Sequence, residues 1–397
     1  MIEIPAEDSP LPPSNIRSLR ELIDLVSGRS IKDQIPQEDA GYAEVLPFPF
    51  LALVGQKEMK IALCLSLINP EIGGVLLIGP RGTGKTTAVR SLIDLLPPVE
   101  RSACFYGCLP EDIEAFGMDG VCPDCAKKFA EGKPLTIQDR VKLVELPLNA
   151  KLEDVIGGID ERAVVHDRLR LKRGVLAHAD LNILYVDEVN LLADEIIDAI
   201  LDASASGSYT VRRGPITATY RARFTLIGSM NPEEGNLRPQ IMDRFGLRVI
   251  VKGLDEPQER LEAYHRTHLY RQNPRKMIAL YQAESNMAAE EIAHAKSILP
   301  SVVLPEDVAK QGIQLIQKMQ IDSLRAEITL FEAARAYAAA DNRTIVTRED
   351  LRQVAPMALR LRRSRFMTEY FLGRKEEEQE IQKKIDEVLR INGVKEG

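Results

Sequence analysis

Several stretches of the chain are apolar at almost every position. They are Val75-Leu76-Leu77-Ile78, the region 140–147, Leu181-Asn182-Ile183-Leu184-Tyr185-Val186 and Phe224-Thr225-Leu226-Ile227-Gly228-Ser229-Met230-Asn231. Short continuous apolar runs read as strands buried on both faces, as in a parallel sheet covered by helices. Between them the period changes. Thr87-Ala88-Val89-Arg90-Ser91-Leu92-Ile93 has amphipathic helical spacing, Lys57 to Ile68 predicts a second helix, and another runs through Leu201. Tyr209 to Tyr220 alternates on either side of Gly214-Pro215, which predicts a β-hairpin. Residues 254–296 are helical and charged, a connecting arm. From Leu304 a second helical unit begins. Pro305-Glu306-Asp307 opens one helix, Ser323-Leu324-Arg325-Ala326-Glu327 introduces an apolar helix to Ala340, and Thr347-Arg348-Glu349-Asp350 has the form of a capping sequence. The predicted class is α/β, a parallel sheet flanked by helices and followed by a C-terminal helical domain.

Both ends differ from this pattern. Residues 1–46 are rich in Pro, Asp and Glu, with Ile16, Leu19, Leu22, Ile23 and Val26 on one helical face. They read as an arm with one short helix, either packed on its own domain or docking a partner. The segment 366–397 is a charged tail in which Ile381, Ile385, Val388 and Leu389 share one face of a solvated helix.

Composition narrows the function. With 397 residues, 45% hydrophobic and 28% charged, the chain is an ordinary globular protein large enough for two or three domains. A net charge of -7 leaves no electrostatic footprint for nucleic acid, and no nucleic-acid partner is expected. No apolar run approaches the roughly 18 residues of a membrane span, and the acidic start lacks the regions of a signal peptide, so a cytoplasmic address is expected.

The chemistry concentrates where strands end. Gly79-Pro80-Arg81-Gly82-Thr83-Gly84-Lys85-Thr86, continued by Thr87, lies between a predicted strand and a predicted helix. This is the P-loop, G-x-x-x-x-G-K-[ST], in its proper context. Its glycines let backbone N–H groups approach phosphates, and the helix start favours an anion. Lys85 reaches the β- and γ-phosphates and Thr86 supplies a hydroxyl to Mg²⁺, so ATP and Mg²⁺ are the expected ligands. The run ending at Val186 is followed by Asp187-Glu188, a Walker B element, with Asp187 for the hydrated Mg²⁺ and Glu188 as general base. Asn231 ends the next strand. Arg244 follows near the end of a short helix; taken alone it reads as a salt bridge to a local carboxylate such as Asp243 or Glu234.

The five cysteines do not make an even disulfide framework. Cys104, Cys108, Cys122 and Cys125 are spaced C-x3-C, thirteen residues, C-x2-C. Two close pairs can aim four thiolates at one tetrahedral zinc, while a redox dithiol and unligated thiols are the other readings. Cys64 lies on an apolar helix and reads as core.

Taken together, Phe50-Leu51-Ala52-Leu53-Val54-Gly55-Gln56, the P-loop, Ile183 to Leu192 and Met230 to Leu247 resemble the I subunit of magnesium chelatase, an AAA+ ATPase of the helix-2-insert clade. The resemblance spans roughly residues 47–365. It implies an AAA+ core over 47–255 that carries a Cys-rich insertion at about 101–135, a helix-2 insertion at about 152–177 and a pre-sensor hairpin at about 209–222. A connector over 256–300 and a helical lid over 301–365 follow. It also implies that Val54 and Gly55 lie on the adenine side, that Asn231 is sensor 1, Arg244 the arginine finger acting from a neighbouring subunit, and Arg325 sensor 2, touching nucleotide from the lid. The implied partners are further copies of the chain in a ring, usually hexameric, a D subunit with an integrin-like module, and a porphyrin-binding H subunit. The implied task is to drive Mg²⁺ insertion into protoporphyrin IX for chlorophyll or bacteriochlorophyll biosynthesis. The four-cysteine segment departs from the compact plant and cyanobacterial pattern. A cobalt-chelatase motor and a MoxR-type remodelling ATPase share the motifs, and co-purifying chelatase subunits would separate them. A DNA translocase shares the hairpin, with only Arg212 and Arg213 adjacent on it, and salt-sensitive DNA binding would reveal it.

Overall fold

Every residue of strand β1, Val75–Ile78, is buried, so both of its faces have to be covered. The chain reaches it from helix α1, Lys57–Ile68, and leaves through the glycine turn into α2, Lys85–Ser91. The computed structural model describes residues 46–104, 107–159, 171–214 and 216–362. The arm helix expected near 15–26 and the charged tail lie outside these residues.

After α2, strand β2, Val99–Ser102, leads into an insertion bearing α3, Pro110–Phe116, and α4, Pro123–Ala130; it returns along β3, Thr136–Asp139, antiparallel to β2. Strand β4, Leu143–Leu146, is followed by α5, Leu152–Ile156, a small pair β5, Gly157–Ile159, and β6, Leu171–Arg173, then α6, Val175–His178. Strand β7, Ile183–Val186, starts two residues later than the apolar run. The cause is Leu181, whose φ of 58° breaks the extended path while its N–H donates to the Arg223 carbonyl at 2.7 Å. Helix α7, Asp194–Ser206, runs past Leu201 until Gly207, at φ 67°, ends it. The expected hairpin is β8, Ser208–Arg213, against β9, Ile216–Arg221, with Thr210 opposite Thr219. Strand β10, Thr225–Met230, the short α8, Pro239–Arg244, and β11, Leu247–Ile250, complete the α/β part.

The central sheet has the order β11-β1-β10-β7-β4, and every pairing in it is parallel. Side chains alternate across it, as period two requires. Val75, Leu77, Tyr185, Ile227 and Val249 join a core with α1 on one face. Leu76, Ile78, Leu184, Val186 and Leu226 pack with α7 on the other. The charged region 254–296 forms α9, Pro257–Gln272, and α10, Pro274–Ile298. Helices α11, Glu306–Lys318, α12, Arg325–Ala340, and α13, Arg348–Leu359, follow. Ala333, Ala336, Val354 and Met357 of these helices belong to the same core as α1 and the first sheet face. Glu58 of α1 pairs with Arg360, and the Asn69 amide donates to Glu332 at 2.8 Å, so the helical part is held against the α1 side of the sheet. Among the described residues no helix is long and apolar enough to cross a membrane.

Candidate functional site

In a parallel sheet every strand ends at the same edge, and polar chemistry placed just after strand ends converges there. The P-loop follows Ile78, Asp187-Glu188 follows Val186, and Asn231 follows Met230. A pocket of about 230 Å³ lies among them, lined by Arg81 to Thr87, Asp187, Glu188, Ser229, Met230 and Asn231. Gly82 and Gly84 hold φ of 77° and 85°, a region that side chains disfavour, with open space beyond them. Lys85 is buried and donates to the carbonyls of Gly79 and Pro80 at 2.7 and 2.8 Å. Burial holds its pKa below the ordinary lysine value, with Asp187, Glu188 and Glu234 opposing.

Asp187 is set by hydroxyls. The Tyr185 hydroxyl donates to Oδ1 at 2.9 Å, Ser229 donates to the same oxygen, and Thr86 donates to Oδ2 at 3.4 Å. Burial pushes the Tyr185 phenol well above its usual pKa, so it stays a neutral donor. A threonine hydroxyl beside a carboxylate is a hard oxygen set that fits Mg²⁺. The next residue, Glu188, has φ 50° and ψ 53°, an uncommon conformation for a side chain with a Cβ, and its N–H is held by Ser229 Oγ at 3.2 Å. Arg81 reaches across the pocket mouth to Glu188 at 3.3 Å and also pairs with Glu234. The Asn231 side chain accepts from Glu233 N–H at 3.3 Å.

Not every expected site residue comes to this pocket. Val54 and Gly55 do not line it. Gln56, next to them, lines a neighbouring pocket of about 510 Å³ at the β11 end, with its amide donating to the Lys252 carbonyl at 2.6 Å. Arg244 and Arg325 lie elsewhere together. Both line a pocket of about 790 Å³ with Leu181, Ile183, Thr225 and Lys296, where β7 and β10 begin. That is the opposite edge of the sheet, on the order of 10–20 Å away across strands of four and six residues rising about 3.3 Å per residue. Arg244 pairs with Asp202 and Asp198 of α7 at 2.9 and 3.1 Å, rather than with Asp243 or Glu234. Asp243 instead accepts from Arg362 and Ser323 at 2.7 and 2.8 Å, with Arg325 at 3.9 Å.

The cysteines also meet. The Sγ atoms of Cys104, Cys108, Cys122 and Cys125 all lie within 4.8 Å of one another, and all are free thiols. Backbone N–H groups of Cys108 and Cys122 point at the sulfurs of Cys104 and Cys108, at 3.2 and 3.3 Å. Burial raises the Cys104 thiol, but hydrogen bonds from Ser102 and from the Cys108 amide outweigh it and bring the pKa to about 6. Cys64 is packed against the sheet core, and burial pushes its thiol up to about 11.

Two sequence families match the chain: "Magnesium chelatase, subunit ChlI" over residues 155–255 and "AAA lid domain" over 303–385. A magnesium-chelatase subunit ChlI homolog of Methanocaldococcus jannaschii is 42% identical over 323 residues, 80% of this chain and 87% of that one. The chain belongs to the magnesium chelatase I-subunit family. A second relative, the magnesium-chelatase 38 kDa subunit of Acidiphilium rubrum, is 41% identical over 79% of this chain and 90% of its own length. A crystal structure of a putative ATPase from Cytophaga hutchinsonii has a TM-score of 0.51 at 20% identity, covering 86% of this chain and 89% of that one, and supports the fold alone. Within this chelatase I-subunit chain, Tyr185 and Ser229 were not singled out by sequence reasoning, and Glu234 was expected only as an ion-pair partner of Arg244 rather than of Arg81. A signal existed for the first two: period two puts Tyr185 on the same strand face as Asp187, and Ser229 on that of Asn231.

Proposed function

We propose that the chain is the ATP-hydrolysing AAA+ motor subunit of magnesium chelatase, turning over ATP to drive partner subunits that insert Mg²⁺ into protoporphyrin IX. Residues 47–255 would be the ATPase core and 301–365 its helical lid, in the cytoplasm. The observation that carries the reading is the convergence of Lys85, Thr86, Asp187, Glu188 and Asn231 on one pocket at the strand ends. In this reading Lys85 holds the phosphates, and Thr86 and Asp187 hold Mg²⁺, which when bound neutralises phosphate charge. Glu188 accepts a proton from the attacking water, and Asn231 positions that water or the γ-phosphate. Ser229 and Tyr185 keep Asp187 aimed, and Arg81 must release Glu188 for it to act.

Among the described residues no arginine outside the P-loop lines this pocket, whereas Arg244 and Arg325 share the opposite edge of the sheet. Both would therefore serve the nucleotide of a neighbouring copy, which needs a head-to-tail ring, a hexamer in this reading. The ring would act with a D subunit and a porphyrin-binding H subunit. The four cysteines would hold one structural zinc. Sulfurs bonded to zinc at about 2.3 Å lie roughly 3.8 Å apart, close to the cluster already formed. The test is reconstitution of Mg²⁺ insertion from this chain with purified D and H subunits. Insertion that requires ATP and is lost with Lys85→Ala is expected. ATP hydrolysis that never supports insertion with either partner would redirect the reading to another AAA+ task.

A further inference from the structure

The insertion between β2 and β3 has almost no core of its own. Among its described residues only Cys108, Leu109, Cys125 and Leu135 are buried, while Phe116 is 74% exposed. Its internal geometry therefore depends on what holds the four sulfurs together. Among the described residues, two sets of side-chain bonds join it to the ATPase part. The first is its neck, where Arg101 donates to Asn182 Oδ1 at 2.8 Å just before β7. The second is Arg221, the last residue of β9. One arm of its guanidinium donates to the Gly107 carbonyl at 2.5 Å, and the other pairs with Asp112.

Both acceptors are placed by the cysteine cluster. Gly107 lies in the turn between Cys104 and Cys108, its N–H donating to the Cys104 carbonyl at 3.3 Å. The second oxygen of Asp112 takes the N–H of Leu109, the residue after Cys108, at 2.8 Å. The hairpin has other supports, including Arg173 of β6 over the Tyr220 ring of β9 at 5.8 Å and contacts between α7 and β8. Ala222 N–H donates to the Gly207 carbonyl at 2.8 Å, Arg223 pairs with Asp180, and β8 lies against β5.

We infer that the zinc-loaded four-cysteine module is a lateral brace for the β8–β9 hairpin, positioning it through Arg221. This rests on the zinc reading above. A loop on a two-stranded neck can swing, and a second attachment fixes its angle. The planar fork of arginine suits that attachment, because it meets a carbonyl and a carboxylate at once. With the ion bound, Gly107 and Asp112 are fixed points. Without it, the turn that presents them is free to rearrange, and the hairpin loses one flank. Arg221 is thus a positioning residue, and the ligand class at the module is a thiophilic divalent cation.

Hydrogen exchange on the full-length protein tests the inference, with zinc counted by elemental analysis. Purified protein should carry one zinc. Its removal should speed exchange in β8 and β9 by at least ~10-fold and leave β1 and β10 unchanged. Arg221→Gln should keep its zinc and its ATP affinity yet show the same hairpin acceleration, with Arg221→Lys between it and the unmutated protein. Asp112→Asn, which keeps the acceptor for Leu109, should move the hairpin in the same direction and serves if Arg221→Gln fails to fold. Full zinc with unaltered hairpin exchange in these variants would overturn the brace and leave the zinc reading standing. Protein purified without chelator that holds no zinc would overturn both.

Discussion

Three hydroxyl groups hold Asp187 from two neighbouring strands and the P-loop helix, and one of them, Ser229, also holds the Glu188 N–H. Removing a group that orients a metal-binding carboxylate typically costs 10–100-fold, so Ser229→Ala should lower kcat/KM for ATP by about that factor. An unchanged far-ultraviolet spectrum and melting curve would show that the loss is local. The residues in direct reach of nucleotide should separate more sharply. Lys85→Ala is expected to lose ATP binding in calorimetry. Glu188→Gln is expected to bind normally and to turn over about 10²–10⁴ times more slowly, the usual contribution of a general base. Normal turnover in Glu188→Gln would remove it from that role. Lys85, Thr86, Asp187 and Glu188 were readable from the sequence because each sits in a motif of adjacent residues. Arg81's pairing with Glu188 and Glu234, and Arg244's with Asp198 and Asp202, were not, because their partners are 42 or more residues away in the chain.

Helix α13 carries its own start signal. The Thr347 N–H donates to Asp350 at 2.7 Å, and Arg343 meets the same buried carboxylate with two nitrogens, at 2.9 and 2.5 Å. Burial pushes the Asp350 pKa up, but Arg343 and Thr347 more than reverse it, so the folded value lies below the ordinary one. A depressed carboxylate contributes stability that is complete above its unfolded pKa of about 3.9 and fades as pH falls through the folded value. Asp350→Asn should therefore cost roughly 1–3 kcal/mol in urea denaturation at pH 7, and the gap from the unmutated protein should close below about pH 4. A gap independent of pH would exclude the charge as its source. Elements with a repeating pattern were legible even without a side-chain cap: α1 has the bounds that its spacing predicted, and α12 ends at Ala340 as its spacing predicted. Strand β7 was not, because apolar Leu181 takes a left-handed conformation that its residue type disfavours, held by the bond from its N–H to the Arg223 carbonyl, a residue distant in the chain. The run of α7 on to Ser206 depends on Gly207, a stop signal that lies beyond the last strongly apolar residue.

At the scale of the molecule, the nucleotide pocket and the arginine pocket lie at opposite edges of one sheet, lined by different residues. Mixing variants tests whether the arginines cross to a neighbour. Arg244→Ala subunits keep a sound P-loop, and Lys85→Ala subunits keep a sound arginine, so mixed assemblies should recover part of the activity that each lacks alone. Because Arg325 shares the Arg244 pocket, Arg325→Ala should be rescued by the same partner. Arginines acting in trans contribute about 10³–10⁵ in rate in well-studied GTPases, so the homogeneous variants should be nearly inactive. Assembled Arg244→Ala protein hydrolysing ATP at the unmutated rate would end the proposal. If the arginines cross to a neighbour, the separation of the two edges also governs how activity grows with assembly. A lone chain then holds two unmatched halves, and an open row always has one idle nucleotide pocket at one end and one idle arginine pair at the other. Each added subunit completes a single catalytic centre, but the contact that closes the circle completes one without adding a subunit, so hydrolysis per chain should keep rising until closure and then stop.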